Sequence, residues 1–302
     1  MGSWGVGLYS GDFASDLRST IGAVARLPFD PERLVEILCE SESGAANDPQ
    51  HEEYTTFWLV VADQFARRGI VSPRARDTAL QIIEAGVDLE MERARGRPAT
   101  GLAQRSRMLE QVRQRIMTPQ TAAKPRRVLR QAEPFVMDVG DAIVYPVCGR
   151  KSLNPYIARR EKQVAYGPQG RTPWTQDAWG ASVMVERGRA FGFFAWYRPL
   201  VVRRPLATKP DLHALADEPW QLQLPGNCPA SQFRRMGLER IGAFAIDVRA
   251  VHAVFPGLRS GDRLAIADVS IGNRLNIVDP AREAPHRAPY DRIVRIDALA
   301  GR

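Results

Sequence analysis

The residues best suited to recognition chemistry lie between positions 171 and 204. Trp174, Trp179, Trp196 and Tyr197 are interleaved with Arg171, Arg187, Arg189, Arg198, Arg203 and Arg204. Flat aromatic faces and forked guanidinium groups suit stacking on nucleic-acid bases, and they equally suit the centre of a protein–protein interface. The competing use of the same side chains is a packed core with arginines on its rim, because large aromatics mostly serve burial. Arg187 and Arg189 are expected at an exposed turn. Arg187, Arg189, Trp174, Trp179, Arg198 and Arg171 are therefore the candidate binding residues.

A second group is acidic. Asp12 and Asp16 stand four apart, so one helix would bring both to the same face as an acid–base pair or a cation site. Asp12 serves equally well as a helix N-cap, a role that needs no chemistry. His51, His213, His252 and His286 are not spaced as metal ligands, and neither His-x-x-x-His nor Cys-x-x-Cys occurs, so no metal and no cofactor is expected. Cys39, Cys148 and Cys228 are isolated and odd in number, which reads as reduced thiols. Gly5-x-Gly7 is no dinucleotide fingerprint, since no strand precedes it and no third glycine opens the helix. Walker, nucleophile-elbow and kinase signatures are absent, and Ser231, Ser260 and Ser270 lack an activating neighbour. An enzyme is thus the weaker expectation, with Asp12, Asp16 and the arginines as its candidates in a pocket at a domain junction.

The element that must position the aromatic and arginine group is a β-hairpin over 179–204. Gly188-Arg189 supplies the Gly-X pair of a type II′ turn. That turn would set Arg187 opposite Ala190, Val185 opposite Gly192, Val183 opposite Phe194 and Ala181 opposite Trp196. Both resulting faces are apolar, so the hairpin needs cover on both sides.

Around it the chain reads as two domains. Residues 1–118 carry helical spacing in five segments. Asp12 is placed as the first N-cap, ahead of Phe13, Leu17, Ile21 and Val24. Asp30-Pro31 and Ser72-Pro73 are cap-plus-proline starts, and residues 41–50 read as a polar loop. Tyr54, Phe57, Trp58, Val61 and Phe65 mark a third helix that stops near Gly69. The fourth is expected to run on through Asp88 to Arg93 as an exposed, charge-paired end, and the fifth to span about 98–117. Residues 119–133 are read as a linker. From 134 to 302 about six strands are expected, among them 142–147, 263–269, 274–278 and 292–296, with a strand or strand plus helix over 239–254. The fold class is therefore α+β: a helical bundle followed by a mostly antiparallel β domain, as a curled sheet or small barrel.

With 302 residues, 44% of them apolar, the chain has ample material for two cores. No run reaches the roughly 18 to 20 apolar residues of a membrane span, and the start lacks the pattern of a secretory leader, which points to the cytoplasm. The net charge of +8 invites a nucleic-acid partner. Only Lys124, Lys151, Lys162 and Lys209 among the 42 cations are lysines, an arginine bias that a GC-rich genome produces unaided.

Two stretches resemble known bacterial families. Trp4-Gly5-x-Gly7-x-Tyr9, followed by Asp12 and Ala14-x-Asp16, is similar to the start of the bacterial domain of unknown function family 4259, which opens Trp-Gly-x-Gly-x-Phe with acidic residues just after. The resemblance extends over roughly the first 117 residues, with Tyr9 at the usual phenylalanine and Gly11 where the family often has asparagine or aspartate. It implies a small bacterial module of conflict or defence systems and transfers no chemistry. Val139-Gly140-Asp141 leading into Ala142 to Pro146 resembles the opening of immunity family twenty-six of polymorphic toxin systems, and Phe191-Gly192-Phe193 matches its later glycine-bearing aromatic strand. That resemblance implies a toxin-neutralising or protein-binding module without an active site. The expected function is accordingly macromolecule binding, with a protein partner such as a toxin preferred, a nucleic acid as the rival, and no membrane.

Overall fold

The structure, a computed structural model, describes residues 5–118, 126–157, 159–167, 170–258, 270–278 and 292–300. These fall into two compact units, 5–130 and 131 onward. The first is helical and the second rich in antiparallel strands, which makes the chain an α+β protein. Trp4, Lys124, Ser260, His286 and the strand expected over 263–269 lie outside the described residues.

Helix starts in the first unit follow from local chemistry. Asp30 accepts a 3.0 Å bond from the Arg33 amide ahead of Pro31, and Ser72 accepts one of 3.1 Å from Ala75 ahead of Pro73, each satisfying an amide that the helix itself leaves open. The helices are α1 (Asp12–Val24), α2 (Pro31–Ser41), α3 (Ser43–Asn47), α4 (Tyr54–Arg67), α5 (Pro73–Glu84), α6 (Val87–Ala94) and α7 (Ala99–Met117). Three expectations are corrected. Asp12 is the first helical residue, and the cap position is Gly11, without a side-chain bond. The supposed loop over 41–50 contains α3. Gly86, at φ +70°, breaks the fourth segment into α5 and α6, because only glycine takes that angle without steric cost. α4 is the hub: every residue from Phe57 to Phe65 is buried, as in a helix surrounded by neighbours on all sides. Part of the expected linker is also tied down, with Arg126 donating to the Phe29 carbonyl at 2.7 Å and the Leu129 amide to Arg26 at 2.7 Å.

The second unit contains β1 (Asp141–Cys148), β2 (Lys151–Ser152), β3 (Val164–Gly167), β4 (Gly170–Pro173), β5 (Ala178–Ala190), β6 (Phe194–Val202), β7 (Trp220–Leu222), β8 (Gly226–Asn227), β9 (Glu239–Ala243) and β10 (Ile293–Val294). Its short helices are α8 (Leu212–Ala216), α9 (Ala230–Arg235), α10 (Val248–Val254) and α11 (Ile271–Arg274). One antiparallel sheet runs β10-β7-β6-β5-β1-β2, with β8 added to β6 and β9 to β1; β3 and β4 form a separate ribbon. Among the described residues the pairing ends at β10 and β2, so the sheet is open there. Residues 274–278, expected as a strand, instead leave α11 as irregular chain whose Ile277 amide bonds Arg150 at 2.9 Å.

The central hairpin exists with a different register. Arg187 faces Tyr197, Gly188 faces Trp196, Arg189 faces Ala195 and Val183 faces Leu200. The turn lies at Phe191-Gly192, where both residues have positive φ, the combination that matches the twist of paired strands. Gly188 is used for its missing side chain, since a Cβ there would stand 2.5 Å from the Trp196 indole. The expectation of cover on both faces holds, because every residue of β6 is buried. On one side the Tyr145 ring lies over Gly180 and its hydroxyl donates to the Leu275 carbonyl at 2.7 Å.

Candidate functional site

The end of α4 decides where apolar surface is left uncovered. Gly69 adopts φ +65°, and the Ile70 amide reaches back to the Phe65 carbonyl at 2.9 Å while Gly69 bonds Ala66 at 3.1 Å. This closing pattern turns the chain and seats Ile70 on Phe65. The next residue, Val71, is then thrown outward and is 70% exposed. Met117, at the end of α7, is 55% exposed. Both line one groove of about 530 Å³ between α4, α5 and α7, walled by Phe65, Ile70, Leu80 and Ile116 and edged by Arg76, Asp77 and Arg115. A cavity of that size and apolar character suits a small ligand or the side chains of a docked peptide.

Behind the groove the wall is held by a buried carboxylate. Asp63 is fully buried and accepts bonds from Arg67 Nε at 2.7 Å, from Arg115 and from the Tyr9 hydroxyl, and Arg18 stacks over the Tyr9 ring at 5.3 Å. Tyr9, the aromatic residue of the opening motif, is thus bound to the middle of α4. Burial, reinforced by the bond to Asp63, pushes the Tyr9 hydroxyl up to about 12. For Asp63 burial works upward too, but the bonds from Arg67 and Tyr9 and the charges of Arg67 and Arg115 prevail and hold it below the usual carboxylate range. The signs follow. An unfolded tyrosine ionises near pH 10, so the Tyr9 contribution is complete below about pH 10 and is lost as the pH rises towards 12. The Asp63 contribution is present above about pH 4 and disappears as the pH falls through its lower native value. In a tyrosinate absorbance titration, the difference between native protein and Tyr9→Phe should be one hydroxyl ionising near pH 12. A difference centred near pH 10 would show that the hydroxyl is not so engaged.

A second cleft, about 290 Å³ and polar, lies beside the opening loop and is lined by Ser10, Asp12, Glu53, Glu92, Arg95 and Arg97. Glu92 is buried there and takes the guanidinium groups of Arg95 at 2.9 Å and of Arg97. This corrects the reading of 88–93 as an exposed end. Asp88 and Glu92, 1% and 5% exposed, face inward, and Arg105 of α7 holds Asp88 through two bonds of 2.8 Å while donating to the carbonyls of Val6 and Gly7. Asp16 is exposed and does not line this cleft, so Asp12 and Asp16 do not converge on it. Among the described residues no group of three or more His, Cys, Asp or Glu is placed to hold a metal.

The predicted binding residues are dispersed. Arg187 and Arg189 lie in β5 rather than at the turn, and both stack on Phe135, at 4.2 and 3.9 Å from its ring centre. Arg187 also donates to Met137 at 3.2 Å and pairs with Asp138, and Arg189 donates to Glu133 at 3.2 Å. Their function is to clamp residues 133–138 to the sheet, as cations desolvated over a ring can do. Arg198 is fully buried on Glu186 at 2.7 Å, with His252 3.4 Å from the other Glu186 oxygen. Trp174 is buried, and Trp179 is half-buried beneath Lys209. Trp179 and Arg187 are eight residues apart on β5, roughly 26 Å at the rise of a strand. Arg171 belongs to the separate ribbon and is exposed.

Asp63, Arg115, Val71 and Met117 were not among the residues singled out from the sequence. The available signal was the apolar pair Ile70-Val71 squeezed between a helix-ending glycine and a capping serine, where only one of the two can turn inward. Among the described residues no helix is long and apolar enough to cross a membrane. Comparison with protein-family models, with curated proteins and with solved structures returned no match to this chain.

Proposed function

We propose that the protein is a binding module whose partner is another protein, engaged through the groove between α4, α5 and α7. The observation that carries this reading is the pairing of Val71 and Met117, two large apolar side chains left in water on the same groove. Exposed apolar patches of this kind mark interaction surfaces. The occupant it fits is an apolar helix or extended segment, because the walls are apolar and the rim cations Arg76 and Arg115 are already paired with Asp77 and Asp63. Apolar anchors supply most of the affinity at such a surface. Together with the two family resemblances, this favours toxin neutralisation or another protein-binding role in a bacterial conflict system, carried out in the cytoplasm.

The test is a pull-down from the native host, run in parallel with wild type and with the double variant Val71→Glu, Met117→Glu. Both side chains are exposed, so the variant should fold as the wild type does, while two carboxylates in an apolar groove should cut partner affinity at least roughly tenfold. A partner retained by the wild type and lost by the variant supports the proposal. Equal recovery by both proteins would remove it.

A further inference from the structure

The net charge of the chain is unevenly placed. Between Gly149 and Pro173 there are six cations, Arg150, Lys151, Arg159, Arg160, Lys162 and Arg171, against one acid, Glu161. That segment of 25 residues therefore carries +5, while the whole chain carries +8. It comprises β2, the 3-10 turn Arg160–Lys162 and the β3–β4 ribbon. Arg150 is used internally, donating to the carbonyl of Val278 at 3.0 Å. Lys151, Arg159, Lys162 and Arg171 are exposed, and none pairs with an acid among the described residues.

The segment is anchored at its base. Gln163, 3% exposed, donates to the carbonyls of Asn154 and Ile157 at 2.9 Å each and accepts from the Asn154 amide at 3.0 Å. Leu153 is buried and Ser152 donates to Gly272 at 2.9 Å. Through β2, which pairs with β1, the segment joins the sheet, and it is the platform that carries the exposed cations. β4 is exposed at all four residues.

We infer that this platform is a binding surface for the backbone of a nucleic acid. Surplus cations without acidic partners gain most from a ligand with regularly repeated anions, since each phosphate neutralised releases a condensed counterion. A two-stranded ribbon has the cross-section that a duplex groove admits. Contacts from such cations to phosphates set the position of a nucleic acid without reading its bases. This goes beyond the protein-binding role of the helical groove and does not depend on it.

The experiment is fluorescence anisotropy of the full chain with labelled 20-nucleotide RNA, single-stranded DNA and duplex DNA at two salt concentrations. Four phosphate contacts predict a loss of duplex affinity of roughly a hundredfold between 50 and 200 mM salt. The variant Lys151→Glu, Arg159→Glu, Lys162→Glu, Arg171→Glu should bind at least roughly tenfold more weakly at the lower salt, with a flatter salt dependence. A control with the same charge change on other exposed arginines, Arg93→Glu, Arg107→Glu, Arg234→Glu, Arg235→Glu, should retain most of the binding, and so should Val71→Glu, Met117→Glu. Circular-dichroism melts confirm folding of each protein. No binding by the wild type at 50 mM salt would overturn the inference. So would equal losses in the platform variant and its charge-matched control, or capture of a polyglutamate peptide with no capture of any of the three nucleic acids.

Discussion

Replacing Arg105 with alanine should lower the unfolding free energy of the helical unit by about 3–5 kcal/mol, the range for removing one partner of a buried ion pair. The guanidinium is 6% exposed and meets Asp88, 1% exposed, through two bonds of 2.8 Å. Its remaining nitrogen donates to the carbonyls of Val6 and Gly7 at 3.3 and 3.2 Å. Alanine would leave a carboxylate buried without its cation and free the opening loop from α7. Urea unfolding followed by circular dichroism measures the loss. The double replacement Arg105→Met, Asp88→Leu should recover most of it, because an apolar pair of similar volume removes the desolvation cost along with the attraction. A loss below about 1 kcal/mol for Arg105→Ala would put the pair in the weak, solvent-screened class and refute its burial.

The second large effect is expected at Gly140. Its φ is +91°, its amide donates to Met184 of β5 at 2.7 Å, and its carbonyl accepts from Phe244 just past β9 at 2.9 Å. A Cβ at this position would collide with the Phe244 carbonyl oxygen, which is backbone and cannot swing aside. Gly140→Ala should therefore cost about 2–5 kcal/mol, combining about 1–2 for the left-handed conformation and about 1–3 for forcing atoms into filled space. Gly192→Ala is the internal comparison. At φ +76° and with nothing within 4 Å of the added carbon, it should lose only the conformational part, about 1–2 kcal/mol. Equal losses at the two glycines would contradict the crossing of three segments at Gly140.

What was legible in the sequence was local. Asp30-Pro31 and Ser72-Pro73 act within one helical turn, so their bonds could be read directly from residue order. The switch from helical to strand spacing after residue 133 likewise reflects neighbours in sequence. Gly188 was misread because a glycine serves two purposes, a positive φ or an absent side chain, and only the strand partner Trp196 reveals which. Asp88 and Glu92 look solvated when their charge is considered alone. Their cations, Arg105 and Arg97, come from the far side of a turn that residue order does not show. Arg187 and Arg189 likewise find their ring, Phe135, more than fifty residues earlier. The groove was missed for a related reason: its apolar residues come from three helices and the turn that joins α4 to α5, so no single segment displays it.

The last described residues of the strand-rich unit are also part of its centre. Ile296 and Leu299 are buried in the core that includes Tyr145 and Val251, and the carbonyl of Leu299 receives the Asp247 amide at 2.9 Å. During synthesis, then, the helical unit can close on itself while later codons are still being read. The sheet, by contrast, lacks part of its core until Leu299 has emerged from the ribosome, and it is over that interval that a nascent chain would most need a chaperone.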